Sequence, residues 1–156
     1  MKKLFRSLLA VMLIAMMALS FTSCAKPESV ESKLKEWEYD VELIYEDEEI
    51  KSFLKVMTES AEEIGLKLEM KTPIYILSAT CASKDCHCEV TFFWFESKMD
   101  CQDTAEAIED YLAEIEKMFT DVEFSSDPIK VATKGKIAIF GNGDAFDDAC
   151  DIIRAR

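Results

Sequence analysis

Four of the six cysteines fall within 21 positions, at Cys81, Cys86, Cys88 and Cys101, and the only histidine, His87, stands among them. Cys24 and Cys150 complete the set. Thiolate and imidazole are the ligands that zinc and copper(I) prefer, so Cys81, Cys86, His87 and Cys88 form a candidate soft-metal site. The spacing works against all four converging. In an extended strand Cys86 and Cys88 point to one face and His87 to the other, and Cys-x-Cys is tighter than the usual zinc-knuckle gap. The competing chemistry is a disulfide. A four-residue polar turn, 82–85, would set Cys81 opposite Cys86 on neighbouring antiparallel strands, within bridging range. Cys88 with Cys101 is a second candidate pair, and Cys150 reads as a buried helix thiol. The alternative to any bridge is a set of five unlinked thiols.

Thiol catalysis is weakly supported by the sequence. A nucleophilic cysteine needs a base or a positive setting, and this chain is strongly acidic. There is no Cys-x-x-Cys pair and no Gly-x-Ser-x-Gly elbow. The segment Gly141-Asn142-Gly143 stands between a strand and a helix, as phosphate-binding turns do. However, Asp144, Asp147 and Asp148 would repel a phosphate there, and no further strand completes a βαβ unit. Asp144, Asp147, Asp148 and Asp151 share a helical face but lack the spacing of a calcium loop, so a solvated acidic face is expected. No catalytic constellation emerges, and the expectation is a protein that is not an enzyme.

The elements that must position these residues follow from periodicity. Trp37, Tyr39, Val41, Leu43 and Tyr45 alternate with Glu38, Asp40 and Glu42, the period of a half-buried strand. Ile50, Phe53, Leu54, Met57, Ala61 and Ile64 make one helical stripe, with Asp47, Glu48 and Glu49 in its first turn and Gly65 as its stop. Leu66 to Met70 and Pro73 to Cys81 read as strands, and Cys86 to Phe95 is strongly β-prone. A second helix is expected from Asp103, with Glu106 in a capping-box position and Ala105, Ile108, Tyr111, Leu112, Ile115 and Phe119 as its stripe. Val122 to Phe124 and Lys136 to Phe140 read as strands, and Asp144 to Ile153 as a final helix. The order predicts an α+β two-layer sandwich of ferredoxin-like β-α-β-β-α-β type with an extra C-terminal helix. In two layers one sheet face stays open. Phe93 and Phe95, alternating with Phe92 and Trp94, would then lie on that face, where either the loops, the terminal helix or Trp37 cover them or they form an apolar patch for a protein partner.

The N-terminus is of a different character. Lys2, Lys3 and Arg6 precede twelve apolar residues, Leu8 to Leu19, which would make about 18 Å of helix, short of the roughly 30 Å hydrocarbon core. This is the pattern of a signal-peptide core. Then come Ser20, Phe21, Thr22, Ser23 and Cys24, with small residues directly before a cysteine. The segment resembles the lipobox of bacterial lipoproteins, with Phe21 where leucine is usual. The resemblance covers 24 residues and is silent on the rest. It implies cleavage before Cys24, a diacylglycerol thioether on its sulfur, fatty acyl chains of the palmitate kind, and a place on the cell envelope facing away from the cytoplasm.

The expected organisation is therefore a signal peptide over 1–23, a lipid-anchored tether over 24–35 and one α+β domain over 36–156. The exported part carries 15 Lys and Arg against 31 Asp and Glu, a formal charge of −16. Such a charge disfavours binding to nucleic acid or to anionic lipid through a basic surface, because both need clustered Lys and Arg. The expected role is a membrane-tethered binding or accessory domain held through its lipid, with no cofactor. The alternative is a zinc or copper lipoprotein using the cysteines at 81–88.

Overall fold

The computed structural model describes residues 25–81, 88–118 and 127–154. Its centre is a five-stranded, wholly antiparallel sheet: β1 Tyr39–Ile44, β2 Tyr75–Cys81, β3 Glu89–Trp94, β4 Lys130–Lys134 and β5 Ile137–Gly141. The strand order is β1-β2-β3-β5-β4. Four helices accompany it among the described residues: α1 Pro27–Glu36, α2 Asp47–Glu63, α3 Lys98–Met118 and α4 Gly143–Arg154. The fold is α+β as expected, but this order lacks the parallel central pair of a ferredoxin-like sheet. Sequence neighbours β1, β2 and β3 lie side by side, and β4 enters as an outer strand beyond β5.

The sheet is also covered on both faces, which corrects the two-layer expectation. On one face Leu77, Ala79, Val90, Phe92, Trp94, Ile137 and Ile139 pack under α1 and α4, whose Val30, Leu34, Ala145, Ala149 and Ile152 meet them. On the other, Ile76, Phe93, Phe95 and Ala138 pack under α2 and α3 through Ile50, Ala61, Cys101, Ala105 and Ile108. Strand β3 is apolar on both sides because it is central and buried on both sides.

Local signals explain most boundaries. Strand β1 alternates between inward Tyr39, Val41 and Leu43 and exposed Asp40 and Glu42. Helix α2 opens on three acids that complement its dipole. It closes in a Schellman motif, with Gly65 at φ 79°, the Leu66 amide donating to Ala61 O and the Gly65 amide to Glu62 O. Helix α3 starts five residues before the expected Asp103, because the Ser97 hydroxyl caps the Asp100 amide at 3.0 Å. Strands β4 and β5 form a hairpin through Gly135-Lys136, with Gly135 at φ 63° as a two-residue loop of this kind requires. Strand β4 was not expected at all.

Two further expectations are corrected here. Residues 66–70 form no strand and have no ladder partner; Leu68 is buried and the Lys71 amide donates to Thr104 Oγ1. Residues 24–35 are no polar tether from Pro27 onward. Pro27 occupies the first turn of α1, where its missing N–H costs nothing, and Val30 and Leu34, four apart, are fully buried against the sheet. The strand expected over 122–124 and the stripe residue Phe119 lie outside the described residues.

Candidate functional site

The expected cysteine chemistry gathers at one end of the sheet, where β1 begins and β2 ends. Here Thr80 pairs with Glu89, and the Cys81 amide donates to Cys88 O at 3.1 Å. Cys81 therefore stands opposite Cys88, not Cys86. The connection is six residues, 82–87, instead of four. Both registers leave each side chain on the same face, so only the strand-end contacts distinguish them. Those contacts are Tyr75 with Trp94, Ile76 with Phe93 and Leu77 with Phe92.

Cys81, Cys101 and Cys150 are thiols, whereas Cys88 is disulfide-bonded. The Cys81–Cys86 bridge is accordingly not formed, and neither is Cys88–Cys101; the partner of Cys88 lies outside the described residues. Cys86 and His87 lie outside them as well. Of the four expected soft-metal ligands, Cys88 has its sulfur committed to a disulfide and offers no thiolate, which leaves Cys81 alone among the described residues. No three His, Cys, Asp or Glu side chains converge as a metal site among the described residues.

Around Cys81 the arrangement is tight and acidic. Tyr39, its neighbour on β1, donates its hydroxyl to Asp148 Oδ2 of α4 at 2.8 Å. Burial, and then the hydrogen bond and charge of Asp148, hold the Tyr39 phenol far above its ordinary range. Tyr39 therefore stays protonated and donating at neutral pH, and ties the β1 edge to α4. The acidic row on α4 is thereby divided: Asp148 serves Tyr39, and Asp147 lies 3.5 Å from Lys130 of β4. Cys150 sits beneath, its thiol pushed up chiefly by burial, as an inert core group.

The Gly141-Asn142-Gly143 turn has a structural role. Asn142 Oδ1 accepts the Glu89 amide at 2.8 Å, and the Asn142 amide returns a bond to Glu89 O at 2.9 Å. A Cβ on Gly141 would press on Glu89 O and lie 2.8 Å from Val90 Cα, so glycine alone permits this strand approach. The turn clips β3 to the start of α4 and leaves its polar groups engaged with protein.

Phe93 and Phe95, the candidate partner surface, are 1% and 2% exposed and so are covered. Helices α2 and α3 cover them. Phe93 makes an edge contact with Phe53 at 6.2 Å and stacks on Phe140 at 5.4 Å. What remains open on that face is polar: Asp40, Glu42 and Thr80 are exposed, and Ser78 and Thr91 meet at 3.4 Å. A groove of about 450 Å³ between Leu112 and Ile115 of α3 and Pro128 to Val131 is apolar, with Glu109, Glu116 and Asp127 on its rim. That rim is unsuited to anions.

At the opposite end of the sheet the chain enters the fold. Ala25 is 4% exposed, and its carbonyl accepts a hydrogen bond from Trp94 Nε1 at 2.8 Å. Residue 24, the expected lipid carrier, lies outside the described residues but is joined by one peptide to this fixed point. Sequence reasoning missed Ala25 and Trp94 as a pair. The buried indole needed an acceptor, and that need was the signal available. Cys88 stands six residues, about 20 Å, away along β3. No helix among the described residues is long and apolar enough to cross a membrane. The chain matches no protein family, no curated protein and no solved structure.

Proposed function

We propose that this chain is an exported lipoprotein of a bacterial cell envelope. Its single α+β domain serves there as a binding or accessory module held on the membrane through Cys24. The observation that carries the reading is the order of features over 1–24: a basic start, twelve apolar residues, then Thr22 and Ser23 before Cys24. The charge distribution supports it: all 31 acids lie beyond residue 23, in the part that would be exported. The partner-facing part of the module is no longer the Phe93 and Phe95 patch, which is core.

The test is membrane partition of the full chain in a bacterial host. Wild type is expected in the membrane fraction and to incorporate labelled palmitate. Cys24→Ala is expected to lose the label and to accumulate as precursor. Equal labelling of both proteins, or label in neither, would overturn the proposal.

A further inference from the structure

We infer that the end of the sheet at which the chain enters the fold is a membrane-contacting surface, pressed on the lipid headgroups by the absence of any tether. The inference rests on the lipid-anchor reading and adds to it an orientation and a contact face. Its first ground is chain length. Cys24 Cα is one peptide, about 3.8 Å, from Ala25 Cα, and Ala25 is buried and bonded to Trp94. A lipid on Cys24 therefore has no flexible segment by which the domain could stand away from the bilayer.

The second ground is what that end displays. Register places the end of β1, the start of β2, the end of β3 and the β4–β5 turn on one rim: the Ile74 amide donates to Trp94 O at 2.7 Å and the Phe95 amide to Lys136 O at 2.9 Å. On this rim Tyr45 is 62% exposed, Ile74 40% and, in the first turn of α3, Met99 68%. Three exposed large apolar side chains beside the chain entry match an interfacial layer, where apolar bodies enter and polar tips stay wet. Lys26, Lys98, Lys134 and Lys136 are exposed on the same end. Their long stems can lie along the surface with the ammonium groups at phosphates. The acids of this end are Glu46 and the first turn of α2 on the β1 side, Glu96 and Glu28 nearer the centre, and Asp100 in the first turn of α3, which accepts a hydrogen bond from the Ser97 hydroxyl at 2.7 Å. The lysines of the β4–β5 turn and α3 would therefore take the closer approach. At the far end stand Trp37, Tyr39, Glu89 and the first part of α4 with Asp144 and Asp148, turned away from the bilayer.

The experiment uses full-length processed protein reconstituted in phosphatidylethanolamine–phosphatidylglycerol vesicles with brominated acyl chains, which quench tryptophan at contact range. One reporter is Ile74→Trp in a Trp37→Phe background, and a second is Met99→Trp in the same background; the Trp37→Phe parent, which keeps only the buried Trp94, sets the baseline for both, and wild type measured against that baseline reports Trp37 at the far end. The expected result is roughly twofold quenching at positions 74 and 99 and none at 37. Protein that floats with the vesicles while 74 and 99 stay unquenched, or while 37 is quenched equally, overturns this inference and leaves the anchor intact. Protein that does not float at all removes the anchor reading and this inference with it.

Discussion

Phe93→Ala separates a buried sheet face from an exposed one. The ring is 1% exposed and touches Phe53, Phe95 and Phe140, with centroid separations of 6.2, 6.3 and 5.4 Å. Truncating a buried phenylalanine costs about 3–5 kcal/mol, a transfer term plus the cavity that the surroundings fail to fill. Helices α2 and α3 both rest on this ring layer, so the cavity is bounded by rigid elements on two sides and the upper half of that range applies. Unfolding entropy of about 2.1 cal/mol/K per residue gives about 0.28 kcal/mol/K for the 133 residues from Cys24 onward. The melting temperature should then fall by about 14–18 °C. The assay is thermal and urea unfolding of a soluble chain beginning at residue 25, read by circular dichroism. Were Phe93 an exposed patch residue, the change would stay within about 0.5 kcal/mol and solubility would improve. A shift below about 3 °C would refute the three-layer packing.

Three further outcomes follow from other parts of the fold. Tyr39 favours its neutral form in the folded state, so its contribution is complete below the ordinary tyrosine value near pH 10 and is lost as pH rises above it. Tyr39→Phe should cost about 1 kcal/mol at pH 7, and the wild-type advantage should vanish between about pH 10 and 12; an advantage that grows with pH would contradict the assignment. Gly141→Ala should cost more than about 2 kcal/mol because its Cβ would press on the β3 backbone, whereas Gly65→Ala, with open space but φ 79°, should cost about 1 kcal/mol. In native protein Cys81 should be the first thiol to react with a soluble reagent, with Cys101 and Cys150 silent until unfolding, and peptide mapping should find Cys88 linked and Cys81 unlinked. A Cys81–Cys86 peptide pair would restore the bridge that the register excludes.

Strong periodicity makes β1, α2 and α4 legible, and the Gly65 stop is visible in the sequence itself. The missed elements share a cause. Helix α1 shows only Val30 and Leu34 as an apolar pair within ten residues, too short for a stripe, and Pro27 at its start was the readable cue. Strand β4 is an outer strand whose Lys130 and Lys134 are exposed, so alternation is faint, and Gly135-Lys136 was its only firm marker. The hairpin register slipped by two because a two-residue shift preserves both faces. Most instructive is Phe92 to Phe95. Apolar residues on both faces of one strand mark a sheet covered twice, and the third layer follows from them without an exposed patch. The candidate site was half legible: the cysteine end was located, but its pairing depends on register, and the Ala25–Trp94 contact depends on tertiary approach.

Intact mass of the processed chain, taken from membranes of an expressing host, tests the central claim most directly. The account predicts a chain beginning at Cys24 whose mass exceeds that of residues 24–156 by a diacylglycerol group, with or without a further acyl chain. A chain that retains residues 1–23, or one that begins at or beyond Cys24 with that sulfur unmodified or absent, would contradict it.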